Sequence, residues 1–354
     1  MEDIPKIINS GLILEPIDPR MWVWRGITGI PEEKPLVASG MDWMPYLATD
    51  EIQRFNGFDT SSCVSFSCLN NFETLLFYKL VNKMISNENY NWLQVNGYLD
   101  DQDRPNFSDR YIAALSGTTK KGNSAGKVMD TVLNYGLIPE AMHPATTALS
   151  FENYVNTALI TPEMFDIGKE FKKRFKLAYE VVFVGENQTL LDAVRYSPLQ
   201  VFIHAWGQYV DGLFKKTLEN INHAVTFFGG EQEKYLYEHD SYSLYGSYKA
   251  KLAWDYIFYT SAFKFSINEI AGEVPEQPVL PNIKNDTLIQ LTETGHPDSG
   301  RISMHLNGMK FIDDLDKILG TYHMRKPLNE ERRQTVSIKE WEALKSVNLK
   351  MQPV

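Results

Sequence analysis

The chain has 354 residues, enough to bury a sizeable core, and its 43% hydrophobic and 23% charged composition is that of a folded globular protein. A net charge of −10, with lysines and arginines scattered, excludes the basic footprint that nucleic acid requires. No stretch approaches the roughly 20 apolar residues of a bilayer span, and MEDIPKIINS lacks the basic start and apolar run of an export signal, so a cytoplasmic or virion-associated protein is expected.

In chain order, residues 1–39 carry Pro5, Pro16, Pro19, Pro31 and Pro35 and the isolated Trp22 and Trp24 without periodicity. They read as an extended arm, a structural strap in preference to a segment that occupies or flanks a cleft. From Ser62 to Leu80, apolar residues at Val64, Phe66, Leu69, Phe72, Leu75, Leu76 and Leu80 predict a buried helix, with Ser61 or Ser62 placed to cap it. Shorter helices are predicted over 107–116, with Ser108 as cap, and over 127–135, stopped by Gly136. After Leu177 the pattern turns to strands, over 179–184, 199–206, 223–230, 234–240 and 255–265. Helices followed by a sheet predict an α+β fold. Pro275, Pro278 and Pro281 mark a linker over 271–286, and 287–354 reads as a small α/β extension. In it, a hairpin turning at Asn307-Gly308 and helices over 314–324 and 337–347, the latter with a Ser337/Glu340 capping box, are expected.

The only cysteines, Cys63 and Cys68, are five apart on one predicted helix and point to different faces, so free thiols are expected. Cys63 falls in the helix's first turn, where unpaired amides and the macrodipole favour a thiolate. Cys68, one and a half turns on among apolar neighbours, reads as a core residue. His223 starts an apolar strand and Asp240 ends the next. Paired as a hairpin, these strands bring a base and its orienting group together. Each, taken alone, is as readily a structural residue; His204, His239 and His305 have weaker claims. No HExxH, paired CxxC, calcium loop, GxGxxG or Walker loop is present, so neither metal nor cofactor is expected.

Several segments resemble the papain family of cysteine peptidases. Asp59-Thr-Ser-Ser-Cys63-Val-Ser-Phe-Ser is similar to the family's nucleophile segment, with Asp42-Trp43 upstream of it. Ser108-Asp-Arg-Tyr-Ile, Gly122-Asn-Ser-Ala-Gly126 and Gly136-Leu-Ile-Pro-Glu follow in the family's order. So do Ser197-Pro-Leu-Gln-Val-Phe-Ile, Asn222-His223-Ala-Val and His239-Asp240-Ser241-Tyr242. The likeness spans residues 40–265. It implies a two-lobe catalytic domain over 40–270, a helical lobe presenting Cys63 and a sheet lobe presenting His223. Asp240 would replace the family's asparagine, and Tyr242 the tryptophan that shields it. The family's oxyanion glutamine lies six residues before the cysteine, where this chain has Gly57; Asn56, after a one-residue insertion, or Gln53 is the candidate donor.

The expected function is cleavage of a peptide or other amide bond in a protein or peptide substrate. The alternative is an idle papain-like module with a binding or structural role in a larger assembly, such as a virus particle, joined through the arm or the C-terminal extension.

Overall fold

The structure, a computed structural model, describes residues 11–16, 21–25, 34–38, 43–244 and 246–270, and four short strands beyond. Its first unit comprises Met1–Pro16 and Glu33–Ile270. A short hairpin, β1 (Arg54–Phe55) and β2 (Phe58–Asp59), leads into the central helix α1 (Cys63–Val81). Every residue of α1 from Cys63 to Leu76 is buried, as its broad apolar stripe predicts. Ser62 stands at the N-cap, but its hydroxyl goes to Thr60 Oγ1 and Tyr154 Oη and does not cap a helix amide, a departure from the expected serine cap.

Around α1 lie α2 (Asn87–Val95), α3 (Asp109–Leu115), α4 (Ala125–Tyr135), the single turn α5 (Phe151–Tyr154) and α6 (Pro162–Arg174). Ser108 caps α3 by accepting from the Tyr111 amide at 3.2 Å, and Gly136 ends α4 at φ +78°, where a β-carbon would be strained. α2 and α6 have no counterpart among the helices predicted from sequence.

An eight-stranded sheet follows, from β3 (Phe175–Phe183), β4 (Leu199–Ile203), β5 (Tyr209–Val210), β6 (Leu213–Phe214), β7 (His223–Glu231), β8 (Tyr235–Leu244), β9 (Ser247–Ala253) and β10 (Ser261–Glu269). Its order is β3-β10-β4-β7-β8-β9-β6-β5, antiparallel except for β6 beside β9, and helix α7 (Asn187–Val194) connects β3 to β4. The chain is therefore α+β, as expected. β9 was not anticipated.

What positions the site is the seam between α1 and the sheet. Gln200 on β4 donates to the Val64 carbonyl at 2.9 Å and to Ser67 Oγ at 2.8 Å, and Thr226 on β7 donates to the Ser67 carbonyl at 3.2 Å. Asn71 reaches Thr226 Oγ1 from the helix side at 3.2 Å. These bonds are buried, so a sliding helix would leave several polar groups unpaired at ~1–3 kcal/mol each. The first turn of α1 is thereby held in register with β7.

A second unit holds Ile17–Glu32 and Ala271–Val354. In it β11 (Leu288–Gln290), β12 (Ile302–His305), β13 (Gln334–Thr335) and β14 (Gln352–Pro353) form a sheet ordered β13-β11-β12-β14. The expected linker over 271–286, the Asn307-Gly308 turn, the helices over 314–324 and 337–347, and Asp42 lie outside the described residues.

Candidate active site

Cys63 is the first residue of α1, and His223 is the first of β7, opposite Ile203 on β4. β7 and β8 form the hairpin anticipated from sequence, with Thr226 opposite His239. The pairing brings His223 Nε2 to 2.8 Å from Asp240 Oδ1. A carboxylate only accepts, so Nε2 carries the proton and Nδ1 is the nitrogen left for chemistry. Nδ1 makes no hydrogen bond, and the charge of Cys63 acts on the ring.

Burial disfavours a charged imidazole here, but the Asp240 carboxylate and the Cys63 sulfur outweigh it and hold His223 well above its ordinary value. Asp240 is fully engaged: Oδ1 also accepts the Tyr242 amide at 3.0 Å, and Oδ2 accepts the Trp206 indole at 3.2 Å. The Trp206 ring stands edge-on to both His223 and Tyr242, with centroids 5.5 Å apart in each case. Trp206 and Tyr242 thus both pack against the His223 ring. Trp206 follows β4 in a loop without regular pattern, and no sequence signal marks it.

Gln53 is buried beside this group. Its amide hydrogen donates to the Ser241 carbonyl at 3.0 Å, and its side-chain Oε1 accepts from Ser241 Oγ at 2.8 Å. Its Nε2 donates to Tyr242 Oη and, at 3.1 Å, to Asp59 Oδ1. Tyr242 donates in turn to Asp59 Oδ2, and Asp59 Oδ1 also accepts the Ser61 amide at 2.8 Å. Burial, followed by the charge of Asp59, raises the Tyr242 phenol, which keeps it a donor; Cys63 is among the charges it feels.

Asn56 lies elsewhere. It is the turn residue of the β1–β2 hairpin, with φ +49° followed by Gly57 at +80°, and its amide donates to the carbonyls of Thr146 at 3.0 Å and Ala148 at 2.9 Å. Both its hydrogens are spent on another loop, so the alignment by a one-residue insertion does not hold. The chain between Gln53 and Cys63 instead contains the whole hairpin, which returns Thr60 to Gln53: the Thr60 amide donates to the Gln53 carbonyl at 3.0 Å.

His239 and His204 have structural partners. His239 Nε2 contacts Asp50 Oδ1 at 2.9 Å, and His204 Nδ1 contacts the Asn220 carbonyl at 2.8 Å. The His305 side chain lies outside the described residues. Cys68 hydrogen-bonds Met129 Sδ at 3.3 Å, and burial, then the charge of Glu73, push its thiol up. Both cysteines are free. Among the described residues no cluster of metal-ligating side chains is found, and no helix is long and apolar enough to cross a membrane.

Cys63 at the start of α1 and His223 at the start of β7 are the residues that the sequence pointed to. Solved structures similar to the chain are cysteine proteases. Xylellain from Xylella fastidiosa is 14% identical with a TM-score of 0.47, covering 74% of this chain and 96% of that one. The digestive procathepsin L2 proteinase of Tenebrio molitor is 15% identical with a TM-score of 0.45, covering 74% and 78%. The CMS1MS2 cysteine protease of Carica candamarcensis is 14% identical with a TM-score of 0.40, covering 66% and 100%. No family model and no curated protein sequence matches the chain.

Proposed function

We propose that the chain is a cysteine hydrolase of peptide or related amide bonds, with Cys63 as nucleophile, His223 as acid and base, and Asp240 as the positioning carboxylate. The observation that carries this reading is the His223–Asp240 bond at 2.8 Å, with the Cys63 sulfur among the charges that favour the imidazolium. A charged ring beside sulfur at a helix N-terminus stabilises the thiolate. The thiolate attacks the carbonyl carbon and forms a C–S bond, and the carbonyl oxygen becomes an oxyanion. His223 gives its Nδ1 proton to the departing amine as the C–N bond breaks. Water then attacks the acyl-enzyme, His223 takes the water's proton, and the thiolate leaves.

The Cys63 amide, one of the helix's first unpaired N–H groups, is one oxyanion donor. Gln53 is the other. Both its Nε2 hydrogens are also engaged, and the longer bond, to Asp59 at 3.1 Å, has to open to admit the oxyanion. Gln53→Ala is expected to lower kcat by roughly 10²- to 10³-fold with KM much less affected, measured on a fluorogenic peptide library. An unchanged kcat would remove Gln53 from the mechanism.

The decisive experiment is competitive labelling with iodoacetamide followed by peptide mapping. Cys63 is expected to react first and Cys68 last, since Cys68 is held as a thiol by burial. The preference should vanish in His223→Ala. Equal, slow labelling of both cysteines would support the idle binding module instead.

A further inference from the structure

An oxyanion donor contributes in full only where its N–H already stands ready for the charge that develops. A donor bonded elsewhere has to give up that bond as the oxyanion forms. Gln53 is in the second position. It is buried, and both hydrogens of its Nε2 are spent, on Tyr242 Oη and, at 3.1 Å, on Asp59 Oδ1.

The two acceptors differ in kind. The Tyr242 phenol is neutral, since burial and the charge of Asp59 raise it, whereas a carboxylate oxygen makes a charge-assisted bond, the stronger sort. Asp59 is also fixed where it stands. Its Oδ1 accepts the Ser61 amide at 2.8 Å and its Oδ2 accepts the Tyr242 hydroxyl, so the carboxylate cannot turn aside without breaking those bonds.

Gln53 is held in place without Asp59. Its amide hydrogen donates to the Ser241 carbonyl at 3.0 Å, its carbonyl accepts the Thr60 amide at 3.0 Å, and its side-chain Oε1 accepts from Ser241 Oγ at 2.8 Å. The backbone and the oxygen end of the side chain are thus located by β8 and by the turn before α1. What the bond to Asp59 adds is occupation of the hydrogen that the reaction calls for.

We infer that Asp59 is a brake on the site: it competes with the oxyanion for the Gln53 amide, and the wild-type chain hydrolyses peptides more slowly than its own residues allow. The inference rests on the proposed function and adds to it the residue that limits the oxyanion hole. As the Cys63 sulfur bonds the carbonyl carbon and the C=O electron pair moves onto oxygen, a Gln53 hydrogen bond is handed from Asp59 Oδ1 to that oxygen, with no proton transferred.

Asp59→Ala and Asp59→Asn test it in the full chain, each alone and combined with Gln53→Ala. Turnover is read as kcat on the fluorogenic peptide library. Thiol reactivity is read as alkylation of Cys63 by iodoacetamide, which displaces iodide and forms no oxyanion. Asp59→Ala frees the hydrogen and is expected to raise kcat by about tenfold with KM little changed. Asp59→Asn keeps an oxygen for Gln53 and Ser61 but no charge, so its gain is smaller and of the same sign. The gain should exceed any change in alkylation rate and should vanish in the Gln53→Ala background, where no donor is left to release. A folded Asp59→Ala with kcat unchanged or lower overturns the inference, and so does a gain that persists without Gln53 or is matched by faster alkylation. If Asp59→Ala does not fold, Asp59→Asn decides by the same criteria; loss of folding in both makes Asp59 a structural residue and overturns the inference as well. These outcomes leave the proposed function standing. If iodoacetamide prefers Cys63 over Cys68 in none of the proteins, the proposed function falls and takes this inference with it.

Discussion

His223→Ala is expected to lower peptide hydrolysis by up to about 10⁴-fold, because it removes both the ion partner of the thiolate and the proton donor to the leaving amine. The accompanying pH dependence has a definite sign. Burial opposes the charged ring, but Asp240 and Cys63 raise the His223 pKa well above its ordinary value. The active imidazolium therefore persists above pH ~6.5, and the alkaline limb of kcat/KM lies beyond that point. Whatever stability the charged ring contributes is likewise complete below pH ~6.5 and lost as pH rises through the folded-state pKa. Asp240→Asn keeps an oxygen for Nε2 and for the Tyr242 amide but removes the charge, so it should retain much of the activity while moving the alkaline limb to lower pH. It also sets an amide NH₂ against the Trp206 indole, a modest loss at a 3.2 Å bond. Asp240→Ala leaves three donors without an acceptor, two buried ones from His223 and the Tyr242 backbone and the half-buried Trp206 indole, and should lose most activity. A pH–rate profile unmoved by Asp240→Asn would show that the carboxylate does not govern the ring.

The second large effect concerns stability. Glu51, Glu73, Asp109 and Glu140 meet beneath α1 and α3, with Arg110, Tyr154, His143 and Cys68 as their titratable neighbours. Glu73 accepts the Phe107 amide at 2.6 Å and Glu140 the Ala145 amide at 2.7 Å, while Glu51 Oε2, both Asp109 oxygens and Glu140 Oε2 are shut off from solvent, and Glu51 and Asp109 share a proton between their carboxyls. Burial first, and the negative charge of Glu51 next, raise Glu73, Asp109 and Glu140, the last to about 8. Such carboxyls hold protons in the fold that they release on unfolding. Their contribution is complete below the unfolded value of ~4.3 and drains away as pH rises toward the folded value. Unfolding free energy should fall by up to about 1.4 kcal/mol per pH unit for each carboxyl still protonated in the fold, so the protein is more stable in mild acid than near pH 8. Glu73→Gln keeps the acceptor for Phe107 and removes one titration, and should flatten the decline. Urea unfolding at several pH values measures both curves; stability that rises with pH over this range would contradict the assignment.

Much of the candidate site was legible in local pattern. The apolar stripe of α1 announced a buried helix with Cys63 in its first turn, and the alternating strands around 223 and 240 announced the hairpin that joins base and carboxylate. The place of Gln53 was not, because residue counting presumes that the chain advances between two points. An antiparallel hairpin adds residues and comes back: β1 and β2 return Thr60 to Gln53, so ten positions of sequence cover a short gap in space. The signal was present in Asn56-Gly57 between Phe55 and Phe58, a pair suited to the positive φ values of a tight hairpin turn. Trp206 and Asp59 had no such mark, since each is defined by what it meets across the fold.

Periodicity and end signals, which act over a few residues, were enough to determine that this chain builds a cysteine-bearing helix and a sheet carrying His223 and Asp240. Only the tertiary structure decided that Gln53 and not Asn56 lies beside Tyr242 and Ser241, that Trp206 bonds Asp240, that Glu51, Glu73, Asp109 and Glu140 meet, and that Gly11 lies against Ser61. These depend on which distant backbones pack within hydrogen-bonding reach, and that is settled by burial and polar pairing across the whole core.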